Sequence, residues 1–164
     1  MRRTLLIVTT LLLLVAVNFT IYQREKLISS GREVLLELAP VDPRSLMQGD
    51  YMALRFQIAN QAFARQDLET LDDGRLVAVL DERGVASFVR FADSLPLAKN
   101  EVLLRYRIRN GRSKFATNAF FFQEGHAKDY EAARFGEFRV DKDGEAILIR
   151  LRDKDLVILG AETS

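Results

Sequence analysis

The first 22 residues constrain the fold of this chain more than any other part of the sequence. Residues 4–22 contain no charged side chain, and their centre holds four successive leucines. As a helix with a rise of about 1.5 Å per residue, this run would span roughly 28 Å, close to the hydrocarbon thickness of a bilayer. Arg24 and Lys26 end the run, and Tyr22 stands where an interfacial aromatic residue would lie. The pattern therefore predicts a membrane-spanning helix that contacts the lipid bilayer.

Two other interpretations of this segment stay open. A cleavable signal peptide usually has a shorter apolar region, followed by small residues at the −3 and −1 positions of the cleavage site. Residues 15–20 read Val-Ala-Val-Asn-Phe-Thr and offer no such site. An uncleaved signal anchor is therefore preferred, ahead of a cleaved peptide and of a buried core helix. The chain then divides into an anchor with its juxtamembrane segment, residues 1–28, and a single domain, residues 29–164.

The charges on either side of the run predict its orientation. Arg2, Arg3 and the α-amino group make the amino-terminal side positive, whereas residues 24–26 leave a smaller excess on the other side. The positive-inside rule then favours a cytoplasmic amino terminus and a domain on the opposite side of the membrane.

Composition excludes several classes of function. The chain has no cysteine and one histidine, so disulfides, thiolate metal sites, thiol catalysis and multi-histidine metal sites are not expected. Residues 23–164 carry 22 basic and 23 acidic side chains, which lacks the basic excess of a nucleic-acid-binding protein. We expect no metal, no cofactor and no nucleic-acid partner. The sequence leaves the oligomeric state open.

After the apolar run the hydrophobic period changes from helical to two, which indicates strands. Turn residues at 82–84, at Asn110-Gly111 and at Asp143-Gly144 predict three hairpins, and hairpin strands are antiparallel. The fold class is therefore α+β, mainly antiparallel β: one N-terminal transmembrane helix followed by a single β-rich domain with about two short helices. The helices are expected at residues 60–71 and 127–134, and the strands at residues 34–38, 51–58, 76–80, 85–91, 102–109, 114–122, 137–140, 146–151 and 156–159.

The segment at residues 41–56 is the most specific in the chain, because it sets polar turn formers directly before a strand. Asp42 and the following proline start a turn, and Gly49 suits a positive φ. Asp50 is placed to accept hydrogen bonds from loop amides, with Arg44 as a charge partner. In the strand, Tyr51 faces away from the core. A structural turn and a binding site are both compatible with this pattern.

Here the residues resemble a known family. The run Gly49-Asp50-Tyr51-x-x-Leu54-x-Phe56 is similar to the signature of the GDYXXLXY family of bacterial proteins, with phenylalanine at the position of the final tyrosine. The preceding Asp-Pro-Arg at residues 42–44 resembles the lead-in of that family. The resemblance covers roughly residues 34–159.

A second motif supports the resemblance. Residues 120–125, Phe-Phe-Phe-Gln-Glu-Gly, are similar to an aromatic-aromatic-Val-Pro-Glu-Gly segment of the family. Gln123 replaces the usual proline, and Asn118 stands where glutamate is expected. Glu124 matches the glutamate of this second motif, and we expect it to anchor the loop by accepting backbone hydrogen bonds.

The resemblance implies location and role rather than an activity. Members of this uncharacterised family resemble single-anchor envelope proteins that are often encoded beside multi-pass membrane proteins. This implies a single-pass protein of the bacterial inner membrane with its domain in the periplasm. It also implies an accessory protein that contacts a multi-pass membrane partner. The candidate binding residues are Asp42, Arg44, Gly49, Asp50, Tyr51 and Glu124.

An enzyme or small-ligand binder is the alternative. It would use the carboxylates of Asp42, Asp50 and Glu124 beside Arg44, in one concave pocket. Signal peptidases also place a serine before a Gly-Asp pair, but Ser45 lies too close to Gly49-Asp50 for that spacing. No general base carries a supporting motif, so no residue is assigned as catalytic.

Three further features have two interpretations each. His126 follows Glu124-Gly125 and is read as a solvated loop histidine rather than as a metal ligand. Arg105, Arg107 and Arg109 alternate along one strand and form either an exposed charged face or a contact with anionic lipid or an acidic partner. The three phenylalanines at 120–122 indicate either a strand buried on both faces, which is preferred, or an apolar patch that contacts a partner.

Overall fold

The computed structural model describes residues 2–40, 51–66, 68–93 and 95–160. Helix α1 (Arg2–Ser30) contains the apolar run and continues beyond it. The large apolar side chains of four successive positions, residues 11–14, are each between 53% and 65% exposed, so every side of the helix is uncovered there. A core helix would be buried, so that interpretation is wrong. The helix is long and apolar enough to cross a membrane.

The carboxyl-terminal end of α1 is packed against the domain. Leu27 is buried, and its carbonyl oxygen accepts a hydrogen bond of 2.9 Å from the Gly31 amide. The Arg139 guanidinium donates to the Gly31 carbonyl oxygen at 3.5 Å. A Cβ at Gly31 would clash with the Leu27 carbonyl oxygen, so only glycine allows the chain to turn this closely from helix into strand.

Nine strands follow in the described part of the chain. A short helix α2 (Gln57–Phe63) and a 3-10 helix (Ala127–Tyr130) lie between them. In chain order the strands are β1 (Arg32–Glu37), β2 (Tyr51–Ala53), β3 (Gly74–Leu80), β4 (Ala86–Phe91), β5 (Glu101–Arg109), β6 (Arg112–Phe115), β7 (Ala119–Phe121), β8 (Phe135–Val140) and β9 (Ala146–Arg152).

The strands form three sheets in which every ladder is antiparallel. One sheet has the order β1-β8-β9, a second has the order β4-β3-β5-β6, and β2 pairs with β7 in a two-stranded ribbon. The core contains Phe56, whose ring lies edge-on to Phe115 and Phe138 at centroid distances of 6.4 and 5.5 Å. The predicted fold class, mainly antiparallel α+β with an N-terminal apolar helix, is confirmed.

All three predicted hairpins are present, because their turns are specified locally. Asn110 and Gly111 have φ of 52° and 64°, the left-handed pair that a two-residue hairpin turn requires. Gly144 has φ of 86° in the turn between β8 and β9. These short-range signals depend on a few neighbouring residues, so they can be interpreted without knowledge of the rest of the fold.

The strand predicted for residues 51–58 is wrong beyond Ala53. Met52, Leu54, Phe56 and Ile58 are each 2% exposed, as the alternating pattern predicted. The hydrogen-bonded strand nevertheless ends at Ala53, and helix α2 begins at position 57 instead of at 60. Ile58 is separated by four and five residues from the next buried apolar side chains, so it fits the helical period as well as the period of two.

The strand predicted for residues 114–122 is divided into β6 and β7. The break lies at Ala116, which has φ of 43° and turns the chain out of the four-stranded sheet. Thr117 stabilises the turn, because its hydroxyl donates to the carbonyl oxygen of Ala119 at 2.8 Å. Neither residue is a typical turn former, so no local pattern predicts this break.

The last predicted strand and second predicted helix are also corrected. Residues 156–159 form a single bridge, between Arg152 and Ile158, instead of a strand. Leu156 has φ of 64°, and the Asp153 carboxylate accepts a hydrogen bond of 2.9 Å from the Val157 amide, so this segment begins as a turn. The helix predicted for residues 127–134 is shortened to one 3-10 turn at Ala127–Tyr130.

Candidate functional site

The two motifs that carry the family resemblance meet in the two-stranded ribbon. Strand β2 begins at Tyr51, the last residue of the Gly-Asp-Tyr motif, and β7 contains the first two phenylalanines of the second motif. Tyr51 lies opposite Phe121, Met52 opposite Phe120, and Ala53 opposite Ala119. We call this pair of strands, residues 51–53 and 119–121, the aromatic ribbon.

The outer face of the aromatic ribbon carries two neighbouring aromatic rings, of which Phe121 is exposed and Tyr51 is half-buried. Side chains that lie opposite each other in an antiparallel pair share a face, and Tyr51 and Phe121 have ring centroids 5.7 Å apart. Phe121 is 74% exposed, more than any other large apolar side chain in the described domain. The preferred interpretation of residues 120–122 as a strand buried on both faces is therefore wrong.

The inner face of the aromatic ribbon is fixed to the domain. Met52 is 2% exposed, and the amide of Leu54 donates to the Asn118 carbonyl oxygen at 2.7 Å, which extends the pairing by one step. The rings of Phe120 and Phe122 lie 5.0 and 5.4 Å from the ring of Tyr130, which sits on the 3-10 helix. This packing on one side fixes the strands that carry Tyr51 and Phe121 on the other side.

The loop after β7 holds the second motif's polar residues. Gly125 has φ of 85°, and the His126 amide donates to the Gln123 carbonyl oxygen at 3.1 Å to close the turn. Nδ1 of His126 lies 2.7 Å from a carboxylate oxygen of Asp129, and both side chains are about half exposed. Glu124 is exposed and makes no hydrogen bond or ion pair within the described residues, so main-chain bonds rather than its carboxylate close this turn.

Four of the six predicted binding residues, Asp42, Arg44, Gly49 and Asp50, lie outside the described residues, as does Ser45. Of the other two, Tyr51 is placed on the aromatic ribbon opposite Phe121. Glu124 follows Phe121 by three positions in the sequence. The structure therefore brings the ends of the two motifs together. Within the described ranges no group of three His, Asp or Glu side chains could hold a metal ion.

The arginine stripe on β5 is largely paired with carboxylates from other elements. Arg109 binds both carboxylate oxygens of Asp73 at 2.6 and 2.8 Å, and this bond holds the pKa of Asp73 below its usual value. Glu145 forms an ion pair with Arg105 and lies 4.0 Å from Arg107. The sequence showed the arginines in one strand, but it did not show their partners because they lie distant in sequence. The stripe is therefore an ion-paired face rather than a free basic patch.

A concave feature, which the sequence did not indicate, lies where α1 meets the domain. It is a cleft of about 990 Å³ between the end of α1, the beginning of β5 and the turn between β8 and β9. We call it the helix–domain cleft. Its wall on α1 begins at Thr20, and its other walls include Leu97, Glu101 and Lys142. No single segment of the sequence contains more than a part of this surface, so no local pattern indicates it.

Comparison with known proteins agrees with the sequence motifs. A family model described as GDYXXLXY protein matches residues 13–151, most of the chain. No curated protein and no solved structure gives a significant match. The matched range contains both strands of the aromatic ribbon and the loop that carries Glu124.

Proposed function

The chain belongs to the GDYXXLXY family, and from this premise we propose that it is a membrane-tethered accessory protein of the bacterial envelope. In this proposal α1 crosses the inner membrane with its amino terminus in the cytoplasm. The β-rich domain lies in the periplasm and binds a multi-pass membrane protein through the aromatic ribbon.

The uncovered apolar surface of α1 supports the proposal that this helix anchors the chain in the membrane. Twelve large apolar side chains between Leu6 and Tyr22 are more than half exposed, and the described domain covers none of this run. Burial of one such side chain is worth about 1.5–3 kcal/mol, so a helix of this kind is stable when lipid surrounds it. Arg2 and Arg3 at one end set its direction by the positive-inside rule.

The exposure of Phe121 is the observation that carries the docking part of the proposal. Its ring is 74% exposed on a strand whose opposite face is fixed by packing on Tyr130. An aromatic side chain on a fixed strand has only two side-chain torsions to order when a partner covers it, and aromatic anchors dominate the energies of many interfaces. The ring of Tyr51 lies beside it and enlarges the aromatic patch.

The tether also explains how a small patch can suffice for binding. Two proteins held in the same bilayer meet at an effective concentration far above that of free periplasmic proteins. An interface built on Phe121 and Tyr51 therefore needs only moderate intrinsic affinity. A multi-pass membrane protein shares the bilayer, so its binding to the aromatic ribbon benefits from this higher effective concentration.

Co-purification from detergent-solubilised membranes tests the docking proposal. The tagged full-length protein is expected to retain one multi-pass membrane protein, and Phe121→Ser is expected to lose it. Val157→Ser is the matched control, because Val157 is also an exposed apolar residue, at 59%, but lies outside the aromatic ribbon. Equal recovery of the partner with both variants, at equal protein abundance, would refute docking through the aromatic ribbon.

A further inference from the structure

The helix–domain cleft is bounded by three elements that are tied together by hydrogen bonds. Arg32, which follows α1, donates to the carbonyl oxygens of Lys99 and Glu101 at 3.2 and 3.1 Å. The amide of Arg105 on β5 donates to the carbonyl oxygen of Gly144 at 2.9 Å, which fixes the turn between β8 and β9. The cleft is therefore a built feature of the fold rather than a gap between independently moving parts.

The position of the cleft along α1 matches the headgroup layer of a bilayer. Its wall on the helix extends from Thr20, in the last turn of the apolar run, to Lys26 and beyond. Six residues of helix correspond to about 9 Å of rise. The headgroup region on each side of a bilayer is about 5–7 Å thick. If residues 4–22 fill the hydrocarbon core, the mouth of the cleft faces the headgroups.

The charges in the cleft that lack an intramolecular partner are mostly positive. Glu101 accepts a hydrogen bond from the Ala98 amide at 3.1 Å and another from Arg90 at 3.0 Å, and these contacts keep its pKa below the usual value. The other charged groups of the wall with a partner are Arg32, Arg107, Asp141 and Glu145. Among the described residues, the charged side chains of the wall without a hydrogen bond or ion pair are Arg24, Lys26 and Lys142, against one carboxylate, Asp143.

An apolar rim lies beside these cations. Leu97 lines the cleft and is 42% exposed, and Leu95 in the same loop is 61% exposed. A soluble anion would make no use of exposed leucines, whereas a phospholipid joins a phosphate group to an apolar body. The combination of unpaired cations with an apolar rim therefore fits a lipid better than it fits a free phosphate ion.

We propose that the helix–domain cleft binds the headgroup of an anionic phospholipid from the leaflet in which α1 ends. This inference rests on the membrane-tethered arrangement proposed above. Arg24, Lys26 and Lys142 supply the positive charge that attracts the phosphate group, and Leu97 lies against the glycerol and the first acyl carbons. The bound lipid would fix the orientation of the domain on the membrane surface.

Lipid titration of the full-length protein in a mild detergent tests this site. Native mass spectrometry counts bound phosphatidylglycerol, phosphatidylcholine or inorganic phosphate, each added separately. The cleft variant carries Arg24→Gln, Lys26→Gln and Lys142→Gln. The control variant carries Arg65→Gln, Arg112→Gln and Lys128→Gln, three exposed cations that do not line the cleft but change the net charge equally.

We expect the unmodified protein to prefer phosphatidylglycerol over phosphatidylcholine by at least about ten-fold, because each cation near an anionic lipid contributes to binding. The cleft variant should lose this preference and the control variant should keep it. Equal binding of the two lipids, an unchanged preference in the cleft variant, or displacement of phosphatidylglycerol by millimolar phosphate would overturn the inference.

Extraction of membranes with alkaline carbonate separates this inference from the proposed function. If the chain remains in the membrane pellet but shows any of the three negative outcomes, only the lipid site is rejected. If the chain is extracted as a peripheral protein, the tether is rejected, and the cleft cannot face the headgroups as the inference requires.

Discussion

At the scale of single residues, the Glu137 carboxylate is the most deeply buried charge in the described structure. Its residue is 1% exposed, and its Oε2 atom accepts from Nε and Nη2 of Arg152 at 2.7 and 2.6 Å. Arg150 approaches the same oxygen at 3.4 Å. A buried ion pair of this kind gives little net stability compared with apolar residues, but removal of one partner leaves the other charge uncompensated.

We therefore expect Glu137→Ala to lower the free energy of unfolding by about 3 kcal/mol. The measurement is denaturant unfolding of the full-length protein in detergent. Glu82→Ala is the control, because Glu82 lies exposed in the turn between β3 and β4, and its substitution should change stability by less than about 0.5 kcal/mol. Similar losses in the two variants would show that the Glu137–Arg152 pair has no special role.

The ion pair of Asp73 with Arg109 makes the stability of the domain depend on pH in the acid range. Its pKa is lowered in the folded state, chiefly by the hydrogen bond from Arg109 and by the amide of Ile108. A carboxyl group with a depressed folded pKa stabilises the fold above its unfolded pKa of 3.8, and this contribution is lost as the pH falls through the folded value. Asp73→Asn should therefore lower the melting temperature near neutral pH and have progressively less effect below about pH 4. A melting-temperature difference that is independent of pH would contradict this assignment.

Among the secondary-structure elements, the turn between β8 and β9 contacts strand β5 of the neighbouring sheet. Gly144 has φ of 86°, and a Cβ there would lie 3.1 Å from the amide nitrogen of Arg105 on β5. Gly84, in the turn between β3 and β4, has a similar φ of 81° but no heavy atom within 4 Å of its Cβ position. The two glycines therefore share the same backbone conformation and differ in the space around it.

Substitution by alanine separates the cost of the left-handed backbone conformation from the cost of the close contact with β5. Gly84→Ala should lower the free energy of unfolding by about 1 kcal/mol, from the left-handed conformation alone. Gly144→Ala should lower it further, because the β8–β9 turn must also move away from β5. Chemical denaturation of both variants measures the difference. Equal losses would show that the turn adjusts freely and that the contact between the two sheets is not tight.

The same elements show what the sequence could predict. The hairpin turns at Asn110-Gly111 and at Gly144 depend on short-range conformational preferences, so local patterns identified them. The pairing of β2 with β7 joins residues almost seventy positions apart, and no local pattern specifies it. Tyr51 could be singled out from its motif, but its position against Phe121 could not. Likewise, the arginines of β5 were visible as a stripe, whereas their partners Asp73 and Glu145 came from other elements.

For the molecule as a whole, the proposed orientation of α1 predicts on which side of the membrane the domain lies. The chain has no cysteine, so a single substitution such as Lys128→Cys introduces a unique thiol. In intact spheroplasts, a membrane-impermeant maleimide should label Lys128→Cys without detergent. Thr4→Cys, at the opposite end of the apolar run, should require permeabilisation. The reverse labelling pattern would place the domain in the cytoplasm.

The proposed function depends on a contact between the aromatic ribbon and a membrane protein, and photo-crosslinking in living cells measures that contact most directly. A photo-reactive amino acid replaces Phe121 in the full-length protein, and the same residue replaces Val157 as the control. Mass spectrometry then identifies the adducts. We expect one multi-pass membrane protein joined to position 121 and absent from position 157. Adducts with lipid alone at position 121, or the same proteins at both positions, would contradict it.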